Sequence, residues 1–247
     1  MIERSESDGI VTLTLAHGKA SAMDVELLEA LQRALDAAAD ARAIVLTGSG
    51  SIFSAGVDLF RLVDGGAGYV RRFFPLLRDV VRQLFAMPMP VVAAANGHAI
   101  AGGAILVYAC DVRLMAAGSG RIGTPELLVG VPFPAAALEI VRFAVRDSQH
   151  FIYTGATLQP DAALAAGLVD EVVAPDALLA RAHELATQLA AIPRGSFRLT
   201  KAALRAPALE AMDRLGAQFD DASLAVWSDL ATHQHIRDYL ARTVRKS

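Results

Sequence analysis

The positions best placed to do chemistry in this chain carry no functional side chain. Between Val91 and Asp111 a β-rich apolar run breaks at Asn96-Gly97, and Gly102-Gly103 then opens an almost wholly apolar helix. The first N–H groups of a helix lack an intrahelical acceptor and lie at the positive end of the helix dipole. A bare backbone N–H at Gly102 therefore suits an oxygen on which negative charge develops. An earlier segment repeats the design: Ile44-Val-Leu-Thr-Gly48 leads through Ser49-Gly-Ser-Ile52 to Phe53-Ser-Ala-Gly-Val-Asp-Leu59, again strand, small-residue turn and helix start. The N–H of Val57, just after Gly56, is left free in the same way. Two such donors converging on one point make an oxyanion hole.

Other side chains offer other chemistries. Ser54 and His98, with Asp58 or Asp111 as third member, supply the parts of a hydrolase triad. Ser54, however, lies in Phe-Ser-Ala-Gly and not in a Gly-x-Ser-x-Gly elbow. Asp58 reads as a helix N-cap and Asp111 as a turn residue after a helix. The single cysteine, Cys110, excludes an internal disulfide and a cysteine metal cluster, and its apolar setting is that of a structural thiol. His233 and His235 stand two apart with no partnering cysteine, so no metal site is expected there. Lys201 and Arg61 are candidates for holding phosphates, although such residues more often solvate a helix face.

The elements that must position these groups alternate. Strands are expected at Ile10–Leu15, Ala43–Thr47, Val91–Ala95, Val112–Met115 and Leu168–Val173, with helices at Val25–Ala39 and Tyr69–Ala86. This is an α/β pattern. Asp64-Gly-Gly-Ala-Gly68 reads as a flexible gap between two helical segments. After Pro175 the pattern is helical, broken at Ile192-Pro193, so the chain divides into a core at 1–191 and a helical segment at 192–247.

The chain has 247 residues, 54% of them hydrophobic, enough to bury a large core. Its 23 basic and 26 acidic residues are mixed, which gives no electrostatic case for nucleic acid or a membrane surface as partner. The longest apolar stretch, Ala99 to Cys110, is too short to cross a bilayer. The acidic start, Met1-Ile-Glu-Arg-Ser-Glu, lacks the apolar run of a signal peptide, and a cytoplasmic location is expected.

Taken together, Phe53-Ser-Ala-Gly-Val-Asp-Leu59, Asn96-Gly-His-Ala-Ile-Ala-Gly-Gly103, Cys110-Asp111, Gly123-Thr-Pro-Glu126, Ala165-Ala-Gly-Leu-Val169 and Leu199-Thr-Lys201 resemble the crotonase, or enoyl-CoA hydratase/isomerase, family over almost the whole chain. The resemblance implies a spiral of ββα units with a C-terminal helical assembly segment, and a homotrimer or hexamer. It implies an acyl-CoA substrate with its thioester oxygen on the Val57 and Gly102 amides, and no metal or other cofactor. Ser54, Ala55, Gly56, Asp58, Gly103 and Lys201 would contact CoA.

Hydratases of this family hold a water between two glutamates. Here the second is present as Glu126, while the first position is Ile105, which neither holds a water nor moves a proton. One carboxylate facing an enolate is what a double-bond isomerase needs, and the chain is similar to the Δ3,Δ2-enoyl-CoA isomerases in this respect. Glu126 would then be the proton shuttle, with a pKa raised by apolar neighbours. A syn-hydratase that recruits another residue, a Ser54 hydrolase and a non-enzymatic RNA-binding or oligomeric relative are the alternatives.

Overall fold

The computed structural model describes residues 1–243. The chain opens with a hairpin in which β1 (Ile2–Ser7) and β2 (Ile10–Leu15) pair antiparallel. Its turn residues Asp8 and Gly9 take φ of 52° and 74°, the conformation that Asp-Gly favours in two-residue hairpins. Strand β1 is absent from the sequence expectation because it shows no apolar alternation: Ile2 alone is half-buried and the rest is exposed. Helix α1 (Val25–Ala37) follows, its N-terminus capped by the Asp24 carboxylate, which accepts from Leu27 N.

Three strand–strand–helix units come next. The first is β3 (Ala43–Gly48), β4 (Ile52–Ser54) and α2 (Leu59–Ala86); the second is β5 (Val91–Ala95), β6 (His98–Ile100) and α3 (Gly102–Ala109). The third is β7 (Val112–Ala116), β8 (Ile122–Gly123) and α4 (Glu126–Val129). Helices α5 (Ala135–Ala144) and α6 (Ser148–Thr154), strand β9 (Thr157–Leu158), helix α7 (Pro160–Ala165) and strand β10 (Glu171–Val173) complete the core. The first strand of each unit joins a six-stranded sheet, β1-β2-β3-β5-β7-β10, and the second joins a four-stranded sheet, β4-β6-β8-β9. Successive units add in parallel, one place along both sheets at a time, which is the expected ββα spiral.

The Asn96-Gly97 step stacks one unit on the last. The Asn96 side chain accepts from Gly48 N at 3.0 Å and donates to Gly50 O at 2.8 Å. A Cβ at residue 97 would stand 1.8 Å from the Ser51 carbonyl oxygen, so this approach of two backbones requires glycine.

One expectation changes. Asp64–Gly68 is not a gap but lies within the helical run of α2, which kinks at Gly66 (φ 62°, ψ −162°). The segment after Ile192-Pro193 is helical, as expected. Helix α8 (Leu178–Ala190) ends before Ile192-Pro193, as expected, and α9 (Arg194–Ser228) and α10 (Leu230–Thr243) fold back on the core. Helix α9 packs on α2 and α5, and α10 on α2 and α4. A buried charge cluster fastens α9: Lys201 donates to Asp111 at 2.6 Å and Arg205 to the other Asp111 oxygen at 2.8 Å. The Arg205 guanidinium also lies 4.1 Å over the Phe85 ring. No helix among the described residues is long and apolar enough to cross a membrane.

Candidate active site

A cavity of about 110 Å³ opens where the starts of α2, α3 and α4 meet. Each ββα unit contributes the turn that ends in its helix: Ala55, Val57 and Leu59 from the first, Ile100 and Ala101 from the second, Pro125, Glu126, Val129 and Val131 from the third. Trp227 of α9 and Tyr239 of α10 complete the walls. The spiral repeats the same local geometry, and so brings three helix starts to one place.

The turns that carry Val57 and Gly102 meet beside this cavity, which Val57 and Ala101 line. Met23 N bonds Gly56 O at 2.7 Å and Asp58 N bonds Met23 O at 2.9 Å, bracketing an isolated parallel bridge between Met23 and Val57. In that register the N–H of Val57 itself is directed away from Met23. Gly102 is the first residue of α3 and has no helical acceptor for its N–H. The two turns touch: a Cβ on Gly56, whose φ is 80°, would fall 3.1 Å from Gly102 N and 2.6 Å from Ile100 O. Between them Ala101 holds φ 52° and ψ −124°, a conformation that costs a non-glycine residue on the order of 1–3 kcal/mol. This strain fixes the entry angle of α3.

Glu126 supplies the ionisable group. It is 7% exposed, and neither carboxyl oxygen has a hydrogen-bond partner among the described residues. Burial pushes its pKa up from 4.5 to about 8, because the lost hydration of the charged form outweighs the pull of its own backbone N–H. Glu126 is the sole carboxylate on the cavity wall among the described residues. Ile105, one turn into α3, is 3% exposed and packed in the core.

Other sequence candidates have different duties. The Ser54 hydroxyl donates to Ser21 O at 2.8 Å and accepts from Gly56 N at 3.2 Å, so it braces the turn, and the side chain is fully buried. This removes the basis of the triad. Asp58 is the N-cap of α2, accepting from Arg61 N at 3.0 Å, as its alternative reading predicted. Gly103 lets α3 rest on β4, since a Cβ there would stand 2.4 Å from Ser54 O. Ala55 lines the cavity.

Both phosphate candidates are corrected. Lys201 is buried against Asp111 and the Met89 carbonyl, away from the cavity walls, and burial lowers its pKa to about 8 against the pull of Asp111. Arg61 is spent on Asp24 at 2.8 Å and Glu26 at 2.7 Å. Cys110 is a structural thiol, with burial pushing it up to about 12.

Trp227, Tyr239 and Ala101 were not singled out by the sequence. Trp227, the chain's one tryptophan, was the available signal, while the strain at Ala101 leaves no trace in residue type. Phe73 and Phe74 stand behind Trp227, with ring centroids 6.2 and 5.6 Å away, and Phe60 is exposed.

The sequence pattern of the family described as enoyl-CoA hydratase/isomerase matches residues 5–242. The chain belongs to the enoyl-CoA hydratase/isomerase family. Members of both kinds resemble it. A putative enoyl-CoA hydratase from Thermus thermophilus is 36% identical over 188 residues, covering 74% of each chain. The mitochondrial enoyl-CoA delta isomerase 1 of Mus musculus is 28% identical over 212 residues, covering 83% of this chain and 73% of its own. The human mitochondrial delta3-delta2-enoyl-CoA isomerase superposes with a TM-score of 0.92 over 100% of this chain and 99% of its own; at 23% identity it shares the fold.

Proposed function

We propose that the protein moves the double bond of a 3-enoyl-CoA to the 2-enoyl position, with Glu126 as the single acid–base group. The observation that carries this reading is a buried carboxyl that, among the described residues, has no hydrogen-bond partner and no second carboxylate beside it on the cavity wall. The thioester oxygen accepts from the Val57 and Gly102 amides. Ionised Glu126 removes a C2 proton, the electron pair delocalises through C1 onto that oxygen and through C3=C4 to C4, and the protonated Glu126 returns the proton at C4. No atom is gained or lost. A base with its pKa near 8 is a better match to a weakly acidic carbon than an ordinary glutamate. Hydratases of the family need a second carboxylate, and Ile105 stands in its place. The mouse isomerase relative supports the same reading.

No metal or redox group enters this scheme, and CoA is part of the substrate. Several large apolar side chains face solvent on the single chain, among them Leu199, Leu204, Tyr153 and Leu230, and we propose that a homotrimer or hexamer covers such surface. Isomerisation of 3-hexenoyl-CoA assayed beside hydration of crotonyl-CoA on one preparation tests the reaction. Isomerisation faster than hydration is expected, and the reverse order overturns it.

A further inference from the structure

Resting on the acyl-CoA reading of this site, we propose that Trp227 is the end wall of the acyl pocket and restricts the enzyme to short chains. An apolar cavity of about 150 Å³ admits the six carbons of benzene; on that scale the 110 Å³ here takes an acyl group of roughly four to six carbons. The wall has little room to yield. Trp227 is 1% exposed, its indole N–H donates to Pro132 O at 2.8 Å, and its own carbonyl oxygen bonds the ring of the buried His233 at 2.8 Å. Phe73 lies along one side of the indole and Phe74 meets it edge-on. Rotating the ring therefore breaks a hydrogen bond and two aromatic contacts at once. Tyr239, the other wall from the helical segment, is half-buried and makes no such set of contacts among the described residues, so it is the alternative exit for a longer chain.

Binding of saturated acyl-CoAs separates this proposal from the reaction, because none of them can be isomerised. Calorimetric titration with CoA, butyryl-, hexanoyl-, octanoyl- and decanoyl-CoA reads the length dependence. An open apolar channel gives about fourfold tighter binding per added methylene. The expected result is a rise to hexanoyl-CoA followed by a loss of at least tenfold at decanoyl-CoA. Trp227→Leu should move the turning point by two to four carbons, about the size of the ring removed. Trp227→Phe keeps the aromatic packing and should move it less; it serves if the leucine variant does not fold. A steady rise to decanoyl-CoA in the unmodified protein, or relief by Tyr239→Ala in place of the Trp227 variants, overturns the end-wall assignment and leaves the isomerase reading standing. Failure of every acyl-CoA to bind removes both.

Discussion

Glu126 shows how burial alone changes the chemistry of an ordinary residue. A carboxyl group in water ionises near 4.5; buried here, it holds its proton to about 8. As the acting base must be ionised, kcat/KM for 3-hexenoyl-CoA should rise with pH in a single step centred near 8 and then level off; a profile flat from pH 6 to 9 would rule out this base. Glu126→Gln should lower turnover about 10²- to 10⁴-fold, the usual worth of a general acid–base group. The same shift has a consequence for stability. The folded chain keeps a proton that the unfolded chain releases above 4.5, so stability falls as pH climbs from 4.5 to about 8, by about 1.4 kcal/mol per unit. The glutamine has no charge to bury, so the variant should gain stability over the parent as pH rises through that window. Urea titrations of both proteins at pH 5.5 and 8.5 measure it, and an equal difference at the two pH values would contradict the burial of this group.

At the scale of elements, the site is a property of stacked turns, and the sequence discloses that only in part. The turns themselves were legible: Gly56-Val57 and Gly102 stand where a strand gives way to a helix, and Val57 and Ala101, from these two turns, line the same cavity. So was most of the regular structure, because buried strands such as Val91–Ala95 and helices with an apolar stripe such as α1 announce their period. Helix α2 was half legible, since three glycines in Asp64–Gly68 read locally as a loop while packing of Leu62, Val63 and Val70 holds the run helical on both sides of the kink. Lys201 was misread for a related reason. Residue type cannot reveal that a lysine's partner, Asp111, arrives from 90 positions away. That cluster is the clip between α9 and the core, and Asp111→Ala would strand Lys201 and Arg205 as buried cations. We expect a loss of at least about 3–5 kcal/mol, read as a lower urea midpoint, whereas Arg4→Ala, which breaks an exposed pair with Glu6, should be nearly neutral. Comparable midpoints for the two variants would show that the clip carries no such weight.

For the molecule as a whole, the question is whether residues 192–247 form a separate unit. The sequence divides the chain there because the pattern changes from alternating elements to helices, but the candidate-site cavity crosses that division. Val57, Ala101 and Glu126 lie on the core side, and Trp227 and Tyr239 on the other. The helical segment buries its apolar side against α2 and α5 of its own chain, with Met212, Trp227 and Ile236 in the same continuous core as Phe73, Phe85 and Ile140. A segment that contributes to a shared core cannot leave without exposing the other half, so folding should be cooperative across the division. The chain carries its own reporter, because the single tryptophan sits in the segment while most β-structure sits in the core. Trp227 emission, blue-shifted in the folded protein, and far-UV circular dichroism at a strand-sensitive wavelength should therefore follow one urea transition with one midpoint. An earlier fluorescence transition would mean that the helices detach first and that the cavity loses its wall before the core unfolds. In Asp111→Ala, where the clip is removed but the shared apolar core remains, the two probes should still coincide at a lower midpoint.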